Sequence, residues 1–196
     1  MNLPTKAEGR DRWLTRNEAA RLLGAAIGFV WDGERASWKP KHDGTLLRRD
    51  RWIIRRRYPA ARFCLMGLYG ARREETIRRT QRLLTTTHPW VDLDAMVYQG
   101  KGALERSTKK RRPPAKIASR PRPHLVRWRR IDERRPAELR AAGLMQANDS
   151  IRFFVNHIHD GQPRAGKIRS ASEGILEDAG LGDDVVRHSL RHTAAT

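Results

Sequence analysis

The stretch that decides how this chain reads lies close to its end: His188-Ser189-Leu190-Arg191-His192-Thr193. On a helix, side chains three and four positions apart share a face, so this spacing predicts that His188, Arg191 and His192 project together. Two imidazoles at i and i+4 can begin a zinc site. Here Ser189 stands where a zinc protease carries its glutamate, and no third ligand is identifiable. His157-x-His159 is a second histidine pair with no further ligands beside it, and no metal is expected. The remaining chemistry is that of anions. An arginine beside a histidine grips a phosphodiester and exchanges hydrogen bonds or protons with it.

Phosphoryl transfer spreads negative charge over several oxygens in its transition state, so a second guanidinium is wanted. Leu68-Tyr69-Gly70-Ala71-Arg72-Arg73-Glu74-Glu75-Thr76-Ile77 supplies one. Arg73 follows a Gly-Ala break and opens a helical pattern, a backbone setting that favours an anion. Further on, Ser107-Thr108-Lys109-Lys110-Arg111-Arg112-Pro113 gathers cations between two strand-like segments.

Together these motifs resemble the catalytic domain of the tyrosine recombinases, the phage integrase family. His188–Thr193 resembles the family's H-x-L-R-H-T box. Leu68–Ile77 resembles its first box, L-x-T-G-x-R-x-x-E-[IL], with Gly70 and Ala71 in place of Thr-Gly and Thr76 where Glu is common. The register rests on Arg73 lying four residues before Ile77, with Arg72 as the lesser candidate. Val91-Asp92-Leu93-Asp94 resembles the strand after the first box, and Ser107–Pro113 the β-hairpin that carries the active-site lysine.

The resemblance implies site-specific DNA recombination or integration through a 3′-phosphotyrosyl intermediate. Arg73 and Arg191 would clamp the non-bridging oxygens, and His188 would share proton transfer or phosphate binding. Lys109 would protonate the leaving 5′ oxygen, a role suited to a lysine whose pKa is depressed by surrounding positive charge; Lys110 fits equally if the hairpin register shifts by one. His192 would be structural. No cofactor is implied. The implied partners are double-stranded DNA and further copies of the protein assembled on it, in the cytoplasm of a bacterium.

The family's nucleophile lies beyond the second box, whereas Tyr58, Tyr69 and Tyr98 all precede it. Tyr69 and Tyr98 read as packing residues, and Tyr58, before Pro59, as a surface or turn residue. The expectation is a partial catalytic domain over residues 15–196 behind a lead-in of residues 1–14. It would be truncated before its nucleophile and inactive alone. The alternative is a non-catalytic DNA-binding remnant or accessory factor.

Composition agrees with a polyanionic partner. The 196 residues carry 41 Lys and Arg against 22 Asp and Glu, a formal net charge of +19. Arginines number 33 and lysines 8; Arg suits bidentate phosphate contacts, although GC-rich coding also enriches it. No apolar run reaches the roughly 18 residues of a membrane span. The single cysteine, Cys64, excludes an intramolecular disulfide.

Periodicity predicts an α+β chain, mainly helical, with one small antiparallel sheet: an integrase-like core incomplete at its C-terminus. Thr15-Arg16-Asn17-Glu18 reads as a capping box opening a helix whose buried face runs through Leu22, Leu23 and Ala26 to Ile27 and Val30. Residues 32–50 read as a loop. Pro59 is expected at the first position of the next helix, which breaks near Gly70. A short helix over Glu74–Leu84 follows, with Ile77, Leu83 and Leu84 inward. Val91–Asp94 and Met96–Tyr98 read as strands, with Pro113–Ile117 as an edge strand. Pro121 and Pro123 introduce a helix bearing Leu125, Val126, Trp128 and Ile131, and residues 132–150 read as loop. Ile151–Asn156 is expected as a strand and Pro163–Ala179 as a helix ended by Gly180.

Overall fold

The computed structural model describes residues 12–70, 74–82, 84–106, 113–147, 150–152, 154–159, 162–165, 168–182, 184–185 and 189–193. At positions 70, 74, 156–159, 162–165, 191 and 192 it describes the backbone alone.

Helix α1 spans Arg16–Ala26 and starts on the expected capping box. Thr15 Oγ1 accepts the Glu18 N–H at 3.3 Å, and the Glu18 carboxylate accepts the Thr15 N–H at 2.8 Å. Arg12 adds a guanidinium 2.6 Å from Glu18, which holds that carboxyl down at about 2. Leu22, Ala25 and Ala26 are buried. The expected continuation through Ile27 and Val30 is corrected: the helix stops at Ala26, Ile27 is 42% exposed, and Gly28 turns the chain at φ +104°. That backbone conformation suits glycine alone here, since a Cβ at position 28 would lie 2.6 Å from Ile54 Cδ1.

Residues 32–50 are not simply a loop. Strands β1 (Trp31–Asp32) and β2 (Ser37–Trp38) pair antiparallel, with Trp31 opposite Trp38, and Phe29 bridges to Arg48. Two-residue strands have no alternation to read. Side-chain chemistry fixes this hairpin instead: Asp32 Oδ1 accepts the Glu34 and Arg35 N–H groups, and the Trp31 and Trp38 rings meet edge to face at 5.4 Å.

Helix α2 spans Arg51–Gly70 and is the axis of the domain. It carries Pro59 in its interior, not at its first position, because the Trp52–Ile54 segment is already helical. Pro59 forfeits one backbone bond to the carbonyl of Arg55. Beyond it Phe63, Cys64, Leu65, Met66 and Leu68 are all buried, and burial pushes the Cys64 thiol up to about 12. The described helix runs to Gly70, and residues 71–73, which would show the break expected there, lie outside the described residues.

Helix α3 (Glu74–Arg78) stops short of Leu84, which is 71% exposed; Leu83 lies outside the described residues. Thr80 donates its hydroxyl to the Thr76 carbonyl, and Gln81 leaves the helix to bridge Trp90. Strands β3 (Trp90–Asp92), β4 (Val97–Gln99) and β5 (Ala115–Lys116) form an antiparallel sheet in that order, with Val91 opposite Tyr98 and β5 at the edge.

Helix α4 runs over Arg122–Ala141, so the expected loop from residue 132 is corrected. Two burials carry the helix past its polar half and through Pro136. Asp132 forms a bidentate pair with Arg62 of α2 at 2.7 and 2.8 Å, and Leu139 packs with Met145 and Ile151 in a satellite cluster.

The next strands are β6 (Asn156–His159) and β7 (Gln162–Ala165), an antiparallel hairpin, so the strand expected at Ile151–Asn156 lies later in the chain. Arg152 and Phe154 instead pair by backbone with Arg82 and Thr80. The predicted Pro163–Ala179 helix is likewise shortened, because Pro163 belongs to β7. Helix α5 spans Arg169–Asp178. It ends in a Schellman motif: Leu181 N–H bonds the Leu176 carbonyl, Gly180 N–H bonds that of Glu177, and Gly180 has φ +61°. Helix α6 (Ser189–Thr193) closes the described chain.

Helices α1, α5 and α6 pack on α2, and one core runs through all four. The fold is α+β and helix-dominated, with small antiparallel sheets. Among the described residues no helix is long and apolar enough to cross a membrane.

Candidate nucleic-acid interface

Arg73, Lys109 and His188 lie outside the described residues, as do Arg72, Lys110 and the side chains of Arg191 and His192. What is described is the frame that holds their neighbours. Arg191 and His192 belong to α6, whose preceding residues Ser189 and Leu190 are buried. Leu190 sits on Gly67 of α2: a Cβ added at Gly67 would lie 3.0 Å from Leu190 Cβ and 3.1 Å from its Cδ1. Glycine at this position lets α6 approach the α2 backbone one turn before α2 ends at Gly70. Gly67 precedes Arg73 by six positions in the sequence.

The first-box segment is tied in turn to the sheet. Ile77 of α3 is buried at 1% exposure. Thr80, one turn beyond Thr76, shares a 2.6 Å hydrogen bond with the Tyr98 hydroxyl on β4, and donates to the Thr76 carbonyl at 2.8 Å. Strand β4 leads into the connection that carries Lys109 and returns as β5. The described contacts thus join α6 to α2, α2 to α3, and α3 to β4, the elements that flank the three motifs.

Helix α6 is also fastened from its other end. Thr193 Oγ1 accepts the Leu14 N–H at 2.7 Å and donates to the Ser189 carbonyl at 2.9 Å. Arg12 bridges Glu18 and Asp184, at 2.6 Å to each. Residues 12–14, read from sequence as part of a lead-in, hold the box helix in place, and Leu14 is only 4% exposed. The Thr193 role is invisible in sequence because its partner is a backbone amide. Only its i+4 spacing from Ser189 gives a hint.

The basic cluster Arg48–Arg57 divides by function. Arg49 reaches Asp178 of α5 at 2.5 Å, and Arg57 reaches its second oxygen at 2.5 Å. Burial opposes ionisation of Asp178, but the hydrogen bonds from Arg49 and Arg57 outweigh it and hold the carboxyl below its ordinary value. These two arginines anchor α5 to α2. Arg51, Arg55 and Arg56 remain exposed, with Arg56 over the Trp52 ring at 5.8 Å.

Tyr98 and Tyr69 are placed for packing, and Tyr58, expected at the surface or in a turn, lies inside α2. Tyr98 is wholly buried, while Tyr58 and Tyr69 are half-buried on α2. Among the described residues no group of three His, Cys, Asp or Glu side chains could hold a metal ion.

No known protein family, curated protein or solved structure matches the chain.

Proposed function

We propose that this chain is a DNA-binding catalytic core of the tyrosine recombinase type, with Arg73, Lys109, His188 and Arg191 gathered around one DNA phosphate. The observation that carries the reading is the seating of Leu190 on Gly67. It seats the helix of the H-x-L-R-H-T sequence against α2 one turn before Gly70, and Arg73 follows Gly70 by three positions in the sequence. The net charge of +19 supplies long-range attraction to the duplex, and the two arginines supply bidentate contacts to phosphate oxygens.

In the intact reaction a tyrosine oxygen forms a bond to phosphorus and the bond to the 5′ oxygen breaks. Arg73 and Arg191 hold the charge that develops on the non-bridging oxygens. Lys109 gives its proton to the leaving 5′ oxygen, and His188 holds or transfers a proton at the phosphate. Within this sequence no tyrosine is presented for attack: the Tyr98 hydroxyl is buried against Thr80, and Tyr58 and Tyr69 belong to the body of α2. That placement favours a second reading for the 196 residues as they stand, duplex binding without strand cleavage, as in an accessory factor.

Cysteine pairs test the shared site. In a Cys64→Ala background, Arg73→Cys with Arg191→Cys is expected to crosslink efficiently through a short bis-maleimide, and failure to crosslink in folded protein would separate the two arginines. A suicide DNA substrate then separates the two readings. No covalent adduct is expected from this chain, and an adduct at Tyr58, Tyr69 or Tyr98 would overturn the reading that none of the three is a nucleophile.

A further inference from the structure

Helix α4 buries one side and leaves the opposite side open. Leu125, Trp128 and Asp132 are buried, and Asp132 is paired with Arg62 of α2. On the far side lie Arg122, Arg127, Arg130 and Arg134, all exposed, around the half-buried Val126 and Ile131. These six residues and Pro123 line a groove of about 640 Å³. At 100° per residue the open arc is centred roughly opposite the buried one. Among the described residues none of the four guanidiniums has a carboxylate partner, whereas Arg129 and Arg135 of the same helix pair with Glu133 and Glu138. The sequence pattern marks Val126 and Ile131 only as core residues and misses this face.

We infer that this face of α4 docks an acidic, amphipathic helical segment of a protein partner. From Arg122 to Arg134 the arc extends about 18 Å, or about three turns of an opposing helix. Carboxylates on such a helix meet the guanidiniums bidentately, and its apolar side covers Val126 and Ile131. A phosphodiester backbone would satisfy the arginines but leave the aliphatic floor uncovered. The face also lies on the side of α4 opposite the one that meets α2. Arg62, which holds α4, and Gly67, which seats α6, are five residues apart on α2, roughly 140° around its axis.

The probe is a fluorescein-labelled peptide of about five turns with leucines at i, i+3, i+4 and i+7 and glutamates on either side. Its control has the same composition scrambled so that no apolar face forms. Fluorescence anisotropy with the full chain at physiological salt is expected to show at least tenfold tighter binding of the amphipathic peptide. Arg130→Glu with Arg134→Glu weakens it tenfold or more, and Val126→Gln weakens it in a protein of unchanged charge. Both substitution sets are expected to keep the circular dichroism melt, Val126→Gln to keep the duplex affinity, and the charge-reversed pair to lower it no more than Lys39→Glu with Lys41→Glu, the same charge change at exposed residues outside this face. Absence of peptide binding, equal affinity for the scrambled control, or peptide affinity indifferent to the substitutions would overturn the inference. A loss of duplex affinity larger than that of the Lys39 and Lys41 control, or any loss in Val126→Gln, would reassign the face to DNA. Duplex binding is read separately, so failure of the recombinase reading and failure of this one are distinguishable.

Discussion

Thr193 and Leu14 are joined by a 2.7 Å hydrogen bond across 179 positions of sequence, from the Leu14 N–H to Thr193 Oγ1. Leu14 is buried, so its amide has little recourse to water once this acceptor is gone. Thr193→Val keeps shape and removes the acceptor. It is expected to cost about 1–3 kcal/mol in urea unfolding, the desolvation cost of a buried donor. Thr193→Ser retains the oxygen and is expected to recover most of that. Equal stability of the valine protein and wild type would show that the bond holds nothing.

Gly67→Ala tests the seat of α6. In an open helix the change would gain up to about 1 kcal/mol of propensity. Here the new methyl meets Leu190 Cβ at 3.0 Å, and a Cβ cannot swing aside without moving α6 itself. Overpacking of this kind costs typically about 1–3 kcal/mol, so the net effect is expected to be destabilising. A rise in thermal midpoint would mean that α6 is not held against α2.

Asp132 and Arg62 form the most deeply buried ion pair among the described residues, with side chains 5% and 4% exposed. Arg62 also donates to the Phe154 carbonyl and stacks on Trp128 at 5.4 Å. Asp132→Leu alone leaves a buried guanidinium without its counter-charge and is expected to cost about 3–5 kcal/mol. Arg62→Met combined with Asp132→Leu removes two of three charges, leaving Arg82, 3.5 Å from Asp132 in the native protein, with Glu133 at 3.9 Å, and is expected to restore part of the loss. Chemical denaturation of the single and double variants measures the difference.

Acid is expected to loosen the α1 and α5 attachments. Glu18 is lowered from 4.5 to about 2 by the hydrogen bond from Arg12, and Asp178 is lowered by Arg49 and Arg57 against the cost of its burial. Each carboxyl has a folded-state pKa below its unfolded one, so its contribution is complete above the ordinary carboxylate range. That contribution is lost as pH falls through the range toward about 2. The urea midpoint is expected to fall across that window, and Glu18→Gln to flatten part of the fall. A midpoint that held steady on acidification would contradict the assignment.

Sequence periodicity conveyed the elements that bury a regular face. The Thr15–Glu18 cap, the Phe63–Leu68 core of α2, the Val91 and Tyr98 strands and the Gly180 terminus all stand where local chemistry put them. It was silent where the stabilising partner is distant. Nothing near Asp132 signals that Arg62 will carry the helix on to Ala141, and no local pattern marks Trp31 and Trp38 as a two-residue strand pair. Pro59 and Pro163 misled in opposite ways. Pro59 sits inside a helix secured by tertiary burial, and Pro163 in a hairpin where a helix start was expected. For the candidate site the motifs were legible as spacing, but the frame that seats them rests on Gly67, Thr80 and Thr193, whose partners are far off in sequence.

The measurement that bears most directly on the central claim is equilibrium binding of the full chain to a fluorescent duplex as salt is raised, for wild type and for Arg73→Gln with Arg191→Gln. Wild-type affinity is expected to be high at low salt and to fall steeply on a log–log plot. The double variant should bind more weakly, with a slope shallower by about one unit for each phosphate that the protein no longer neutralises. No duplex binding at low salt, or an affinity and slope unchanged in the double variant, would contradict a phosphate site built on Arg73 and Arg191.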